Sequence, residues 1–327
     1  MTLNRVDLER GQVLVYAAAI AAGIAIGLGA PSAGAVLARG LWPLLGMLLF
    51  ATFLQLPLAD LGGALQQRRY LAALLLGNFV AVPVVVWGLS QFIPDDPALR
   101  LGFFLVMLVP CTDWFTTFSH LGRGDGRLAL ASTPVLLLLQ MTLLPGFLWL
   151  FLGSEATAGI RARPFVQAFL GIIVVPLVLA LAVERIARHR PRWRGLQGKS
   201  AWLPVPLLGL VLLVITASEI HGVIGALPSL AVVVALFVVY LVVMPAVAIG
   251  LSRAFGLAGS STRTVIFSLG TRNSFVVLPL VLAWPGAGPV AASVVVIQSL
   301  VELCGMLAYL TVARHMRLRD RLDSDER

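Results

Sequence analysis

The chain has 327 residues, 59% of them apolar and only 12% charged, against about 25% charged in an ordinary soluble domain. A mean hydropathy of +0.95 over the full length excludes a soluble enzyme with a single anchor, a disordered protein and a secreted disulfide scaffold. The 24 basic and 15 acidic residues give a net charge of +9, but apolar segments divide them into short loops, which argues against a nucleic-acid surface.

Ten segments have the length to cross a bilayer as helices: residues about 12–30, 41–59, 70–92, 101–119, 128–152, 165–183, 202–218, 226–251, 264–283 and 289–312. Stretches such as Leu230 to Leu251 are apolar on every face, unlike the alternating strands of a membrane barrel. The expected class is therefore an all-α polytopic membrane protein of ten transmembrane helices. Arg5 and Arg10, an apolar run and Ala33-Gly34-Ala35 also fit a cleaved leader; the stretch is read as a span because its loss would leave nine helices. With the N-terminus inside, inner segments hold 19 of the basic residues and outer loops four: Arg39, Arg100, Arg161 and Arg163. Both termini are then cytoplasmic, in a plasma (inner) membrane, and the loop from Arg185 to Lys199 touches anionic lipid. Trp42, Tyr70 and Trp202, near span ends, fit interfacial anchors.

Two strings recur half a chain apart. Pro43-Leu44-Leu45-Gly46 returns as Pro206-Leu207-Leu208-Gly209, 163 residues later, and Pro83 with Gly88-Leu89-Ser90 returns as Pro245 with Gly250-Leu251-Ser252, 162 later. A repeat of five helices is odd in number, so its second copy enters the membrane from the opposite side. The expected division is 1–157 for the first five-helix repeat and 158–327 for the second, inverted one. In such folds the substrate site lies where broken helices of the two halves meet. The fourth span is interrupted at Pro110, followed by Cys111-Thr112-Asp113, and the ninth at Gly270-Thr271-Arg272-Asn273-Ser274. An offset of 162 sets Pro110 on Arg272, so the fourth and ninth helices are expected to be broken and to cross.

Three formal charges fall within the spans: Asp113, Arg272 and Glu302. Each costs about 2.5–3.5 kcal/mol at a helix centre on the insertion scale, so each needs a partner or a function. Asp113 and Arg272 are either a structural ion pair across the crossing helices or groups that bind substrate or protons from a water-filled cavity. Glu302 has no basic partner in its own span and is either a proton carrier or a neutral acid bonded to a carbonyl. Cys111 is either a small buried hydrophobe or a reactive thiol beside Arg272, whereas Cys304 reads as packing. Gln55, Asn78, Gln140 and Gln298 read as interhelical hydrogen-bond glue.

These residues resemble the bile acid:sodium symporter superfamily over essentially the whole chain. The resemblance rests on the ten-helix repeat, Val109-Pro110-Cys111-Thr112 continuing to Leu121-Gly122-Arg123-Gly124-Asp125, and Gly270-x-x-Asn273-Ser274. The Pro-Cys-Thr string and Leu300-Val301-Glu302 look more like its arsenite permease (arsenical resistance) branch. That likeness implies a fourth-helix cysteine that handles As(III), here Cys111, and transport-relevant acidic residues matched here by Glu302. A thiolate is a soft ligand for a soft centre. The chain departs from the permeases at Asn273-Ser274-Phe275-Val276, where they carry a Glu after Asn-Asn-Phe, and at Leu136, where they carry an Asn, although Gln140 nearby agrees. The sodium-coupled branch has sodium ligands where this chain has Ser268 and Arg272, and an Arg there argues against that sodium site. Asp113 is unusual for either branch.

The resulting expectation is a secondary active transporter, a proton-linked antiporter exporting arsenite or a related small oxyacid. Its substrate site comprises Cys111, Thr112, Asp113, Arg272, Asn273 and Ser274, with Asp113 and Glu302 coupling protons and Pro110 and Gly270 breaking the helices. The alternative is uptake of an organic anion bound by Arg272. An intramembrane enzyme would need a metal site at Asp95-Asp96, but no second acidic cluster and no His-Glu-x-x-His accompanies them. No metal or cofactor is implied; the expected partners are a small-molecule or oxyanion substrate and membrane lipid, with no nucleic acid.

Overall fold

The computed structural model describes residues 5–54, 67–158, 169–189, 202–225, 227–284 and 288–315, and the regular elements among them are all helices. In chain order the helices are α1 (Arg5–Gly29), α2 (Pro31–Ala38), α3 (Leu41–Phe53), α4 (Arg68–Ser90), α5 (Pro97–Leu108), α6 (Asp113–Leu121) and α7 (Gly126–Ala158). There follow α8 (Val175–His189), α9 (Pro204–Gly225), α10 (Leu227–Ala254), α11 (Gly259–Gly270), α12 (Ser274–Ala283) and α13 (Gly288–His315). Among the described residues five helices are long and apolar enough to span a membrane, and α2 with α3, bent by 53°, make a sixth if counted as one. Their outer faces carry large apolar side chains, Val242 being 72% exposed, as a lipid-facing surface requires. The chain is a polytopic membrane protein.

Several predicted segments differ in detail. Of the expected second span the described part is a helix to Phe53 capped at Leu54, and residues 55–59, with Gln55, lie outside the described residues, as does most of the Arg185 to Lys199 loop. Helix α2 was not anticipated: Pro31 stands in its first turn with its φ already helical, and opens a new helix after Ala30. Tyr70 is buried, not interfacial, its hydroxyl 3.3 Å from Ser132 Oγ of α7. Cys304 is exposed rather than packed. Asp96 caps the N-terminus of α5 through bonds of 2.8 and 3.2 Å from the Ala98 and Leu99 amides, and Asp95 pairs with Arg100 at 3.7 Å. These are structural roles for the two loop aspartates.

The chain forms two compact units. The first comprises Met1–Leu56, Ile160–Leu227 and Leu278–Ser293. Within it α1, α2 and α3 pack on α9, and glycines set the close approach. A Cβ on Gly23 would lie 2.6 Å from Leu213 O, and one on Gly27 the same distance from Ala217 O. The spacing Gly23-x-x-x-Gly27 is the small-residue seam by which membrane helices meet without a hydrophobic driving force.

The second unit comprises Pro57–Gly159, Pro228–Val277 and Val294–Arg327. In it α7 packs against α5 and α6, and α11 packs against α4, α6 and α7. Phe103 of α5 stacks on Phe237 of α10 at 5.6 Å, and Phe104 on Phe151 of α7 at 5.2 Å. Two proline defects are accommodated here. Pro83 follows a wide turn over Gly77–Ala81, where the Val82 amide reaches back to Gly77 O. Pro245 deprives Leu241 O of its donor four residues on, and the Tyr309 hydroxyl donates to that carbonyl instead.

Candidate transport site

The site lies in the second unit, where two helices are interrupted. At 12 and 9 residues, α5 and α6 are about 18 and 14 Å long, each too short to cross a core about 30 Å thick. Pro110 supplies no amide and forces the residue before it out of the helical region, so Val109 is extended, with φ −104° and ψ 111°. Thr271, between α11 and α12, is extended too, with φ −101° and ψ 134°. The two extended segments pair antiparallel, Pro110 against Arg272. Cys111 N donates to Thr271 O at 3.2 Å, and Asn273 N to Val109 O at 2.8 Å. The breaks anticipated from the sequence at Pro110 and between Gly270 and Ser274 are present, and they pair in the register that the 162-residue offset gives.

Breaking a helix frees backbone groups, which in an apolar interior must find other partners. Of the amides, those of Cys111 and Asn273 are taken by the opposite segment, and that of Arg272 by Glu302 Oε2 at 2.8 Å. The carbonyls go mainly to one side chain. Arg272 Nη1 donates to Met107 O at 3.4 Å, and Nη2 to Ser268 O at 2.8 Å and Leu269 O at 3.3 Å. Nη2 also donates to Asn78 Oδ1 at 2.8 Å, and the guanidinium lies 5.9 Å from the centre of the Tyr240 ring. Tyr240 donates its hydroxyl to Leu269 O at 2.6 Å. A cation, only 2% exposed, thus caps the C-terminal ends of both α5 and α11, the ends that carry partial negative charge.

The opposite side of the break is a chain of polar groups. Ser274 Oγ donates to Gln298 Oε1 at 2.6 Å, and Gln298 Nε2 donates to Glu302 Oε2, which also holds the Arg272 amide. Asn273 Oδ1 caps α12 by accepting from Val276 N at 3.1 Å. Glu302 Oε1 and Asn273 Nδ2 are buried and have no hydrogen-bond partner among the described residues. Cys111 is 1% exposed, and Thr112 is buried at the start of α6. Asp113 opens α6, but its side chain lies outside the described residues, and with it the choice between an ion pair to Arg272 and a substrate or proton group.

The crossing thus gathers Pro110, Cys111, Thr112, Arg272, Asn273, Ser274 and Glu302. It also recruits residues that the sequence reading set aside or passed over: Asn78 and Gln298, read as glue, and Tyr240. The register carries a signal for two of them, since Asn78 and Tyr240 are themselves 162 residues apart and both bond to the ninth-helix break, Asn78 at Arg272 and Ser268, and Tyr240 at Leu269.

The sequence model of the Sodium Bile acid symporter family matches residues 42–225, more than half of the chain. The Arsenical-resistance protein Acr3 of Corynebacterium glutamicum is 23% identical over 250 residues, covering 72% of this chain and 67% of that protein. Helices long enough to span a membrane and two broken helices that cross in the second unit accompany these matches. The chain is a membrane transporter that belongs to the sodium bile acid symporter family, with a relative on its arsenical-resistance branch.

Proposed function

We propose that the protein is a proton-linked secondary transporter that exports arsenite or a related small oxyacid. The observation that carries this reading is the antiparallel crossing at Pro110 and Arg272, which brings the backbone of a buried cysteine, Cys111, onto Thr271 next to Arg272, whose amide is held by the buried carboxyl of Glu302. Arsenite in neutral water is an uncharged trihydroxide, which a thiol can bind and an amide or carboxyl can hydrogen-bond. In this reading Cys111 ligates arsenic, while Thr112, Asn273 and Ser274, at the starts of α6 and α12, face its hydroxyls. Asp113 and Glu302 exchange the protons. The likeness to an arsenical-resistance protein supports the substrate.

The fold that goes with it is ten transmembrane helices in two inverted repeats, 1–157 and 158–327, with both termini cytoplasmic in the plasma membrane. Each of the two units draws on both halves of the chain, which fits a repeat whose corresponding spans pair up. The first unit holds α1, α3, α8 and α9, from spans one, two, six and seven; α4 and α10, from spans three and eight, fall mainly in the second. Corresponding members of the repeat thus keep together.

The alternative, an organic anion held by Arg272, needs a guanidinium free to meet it. Here its terminal nitrogens are directed to Met107 O, Ser268 O, Leu269 O and Asn78, which favours the arsenite reading. The same fixed charge favours indifference to sodium. Uptake by inverted membrane vesicles is the test: arsenite should accumulate when a proton gradient is imposed, with no saturable response to sodium at fixed pH. Uptake of organic anions in preference to arsenite, or saturable stimulation by sodium, would overturn the proposal.

A further inference from the structure

Gln140 of α7 is 2% exposed, and neither its Nε2 nor its Oε1 has a partner among the described residues. It is the one buried side-chain amide among them with both ends bare. An unpaired buried amide is destabilising and rare in native proteins, and its usual explanation is a ligand or water. The sequence register says where this amide belongs. The offset of 162 that joins Pro110 to Arg272 also joins Asn78 to Tyr240 and Gln140 to Glu302. Both members of the first pair lie in the crossing, both members of the second reach the ninth-helix break, and Glu302 sits on the Arg272 amide at 2.8 Å.

Gln140 is then the counterpart of Glu302 for the fourth-helix break, on a helix that packs against both α5 and α6. The symmetry fails at one atom. Glu302 receives the backbone N–H of Arg272, but the counterpart of Arg272 is Pro110, which has no N–H to give. By this symmetry, the donor that Glu302 finds in the Arg272 amide has no equivalent for Gln140 at Pro110, the residue before Cys111 in sequence.

We infer that the Gln140 amide is a substrate-binding group, which hydrogen-bonds the hydroxyls of a neutral polyhydroxy acid while Cys111 holds its central atom. An amide offers one donor end and one acceptor end, which suits hydroxyl groups that both donate and accept, and does not suit an anion, which only accepts. Asn273 Nδ2 and Glu302 Oε1, also bare, complete a mixed set of donors and acceptors. The inference rests on the arsenite reading and adds to it the group that selects the neutral acid.

The test is the behaviour of Gln140→Leu in inverted vesicles and in detergent. A ligand group removed from a site it leaves unpaired should raise the thermal midpoint of the substrate-free protein while raising the KM for arsenite at least tenfold. Gln140→Met, closer in shape, should do the same where leucine disturbs the packing. An unchanged KM in a folded variant overturns the inference, as does a fall in midpoint with transport lost in proportion to folded protein, which is the mark of packing alone. Wild-type vesicles that take up no arsenite overturn the reading beneath it, and the inference with it; wild-type uptake with an indifferent Gln140 variant overturns only the inference.

Discussion

Serine in place of Cys111 should abolish arsenite transport and resistance while the protein reaches the membrane at normal levels. The substitution conserves size at a position that is 1% exposed. It also keeps the bond by which the Cys111 amide holds Thr271 O. What changes is the ligand. The thiol exchanges with one hydroxide of As(OH)3, forming an As–S bond and releasing water that carries the thiol proton away; a serine hydroxyl is a hard donor with no such preference. A loss of at least a hundredfold in kcat/KM, about 2.7 kcal/mol of transition-state stabilisation, is expected. Arsenite uptake normalised to membrane protein reads it, and full activity in the variant would leave Cys111 as packing.

Glu302→Gln should uncouple the transporter without unfolding it. Glu302 Oε2 accepts from the Arg272 amide and from Gln298 Nε2, and the carbonyl oxygen of a glutamine can accept the same two bonds. The other position, Oε1, has no partner among the described residues and is where a proton can be held and released; an NH2 group there can do neither. Uptake driven by a pH gradient should fall to background while exchange of labelled for unlabelled arsenite at equal pH persists. Glu302→Ala, by contrast, leaves the Arg272 amide and Gln298 unpaired and should cost about 1–3 kcal/mol of stability for each orphaned group. Gradient-driven uptake equal to wild type in Glu302→Gln would remove Glu302 from the coupling mechanism.

Much of this architecture is legible in the chain because lipid imposes simple rules. A long apolar run must be a helix, so spans such as α7, α9, α10 and α13 follow from length and hydropathy alone. The crossing is legible as well, since Pro110 and the Gly270-to-Ser274 string are conspicuous in apolar surroundings and share one register. What escaped notice is where the Arg272 side chain goes. Counting formal charges offers it only Asp113, whereas the breaks also expose Met107 O, Ser268 O and Leu269 O, which take its donors and appear in no residue count. For the same reason Asn78 and Gln298 look like generic glue in sequence, although one fixes the guanidinium and the other the Glu302 carboxyl. Tyr309 shows the same blindness: its bond to Leu241 O has meaning only once Pro245 has removed the ordinary donor.

The claim that substrate meets a thiol at the crossing is tested most directly by X-ray absorption at arsenic on the purified protein loaded with arsenite. The account predicts sulfur in the first shell of arsenic in the wild type and in Cys304→Ser, replaced by oxygen alone in Cys111→Ser. An oxygen-only shell in the wild type, or sulfur retained after Cys111 is replaced, would contradict it.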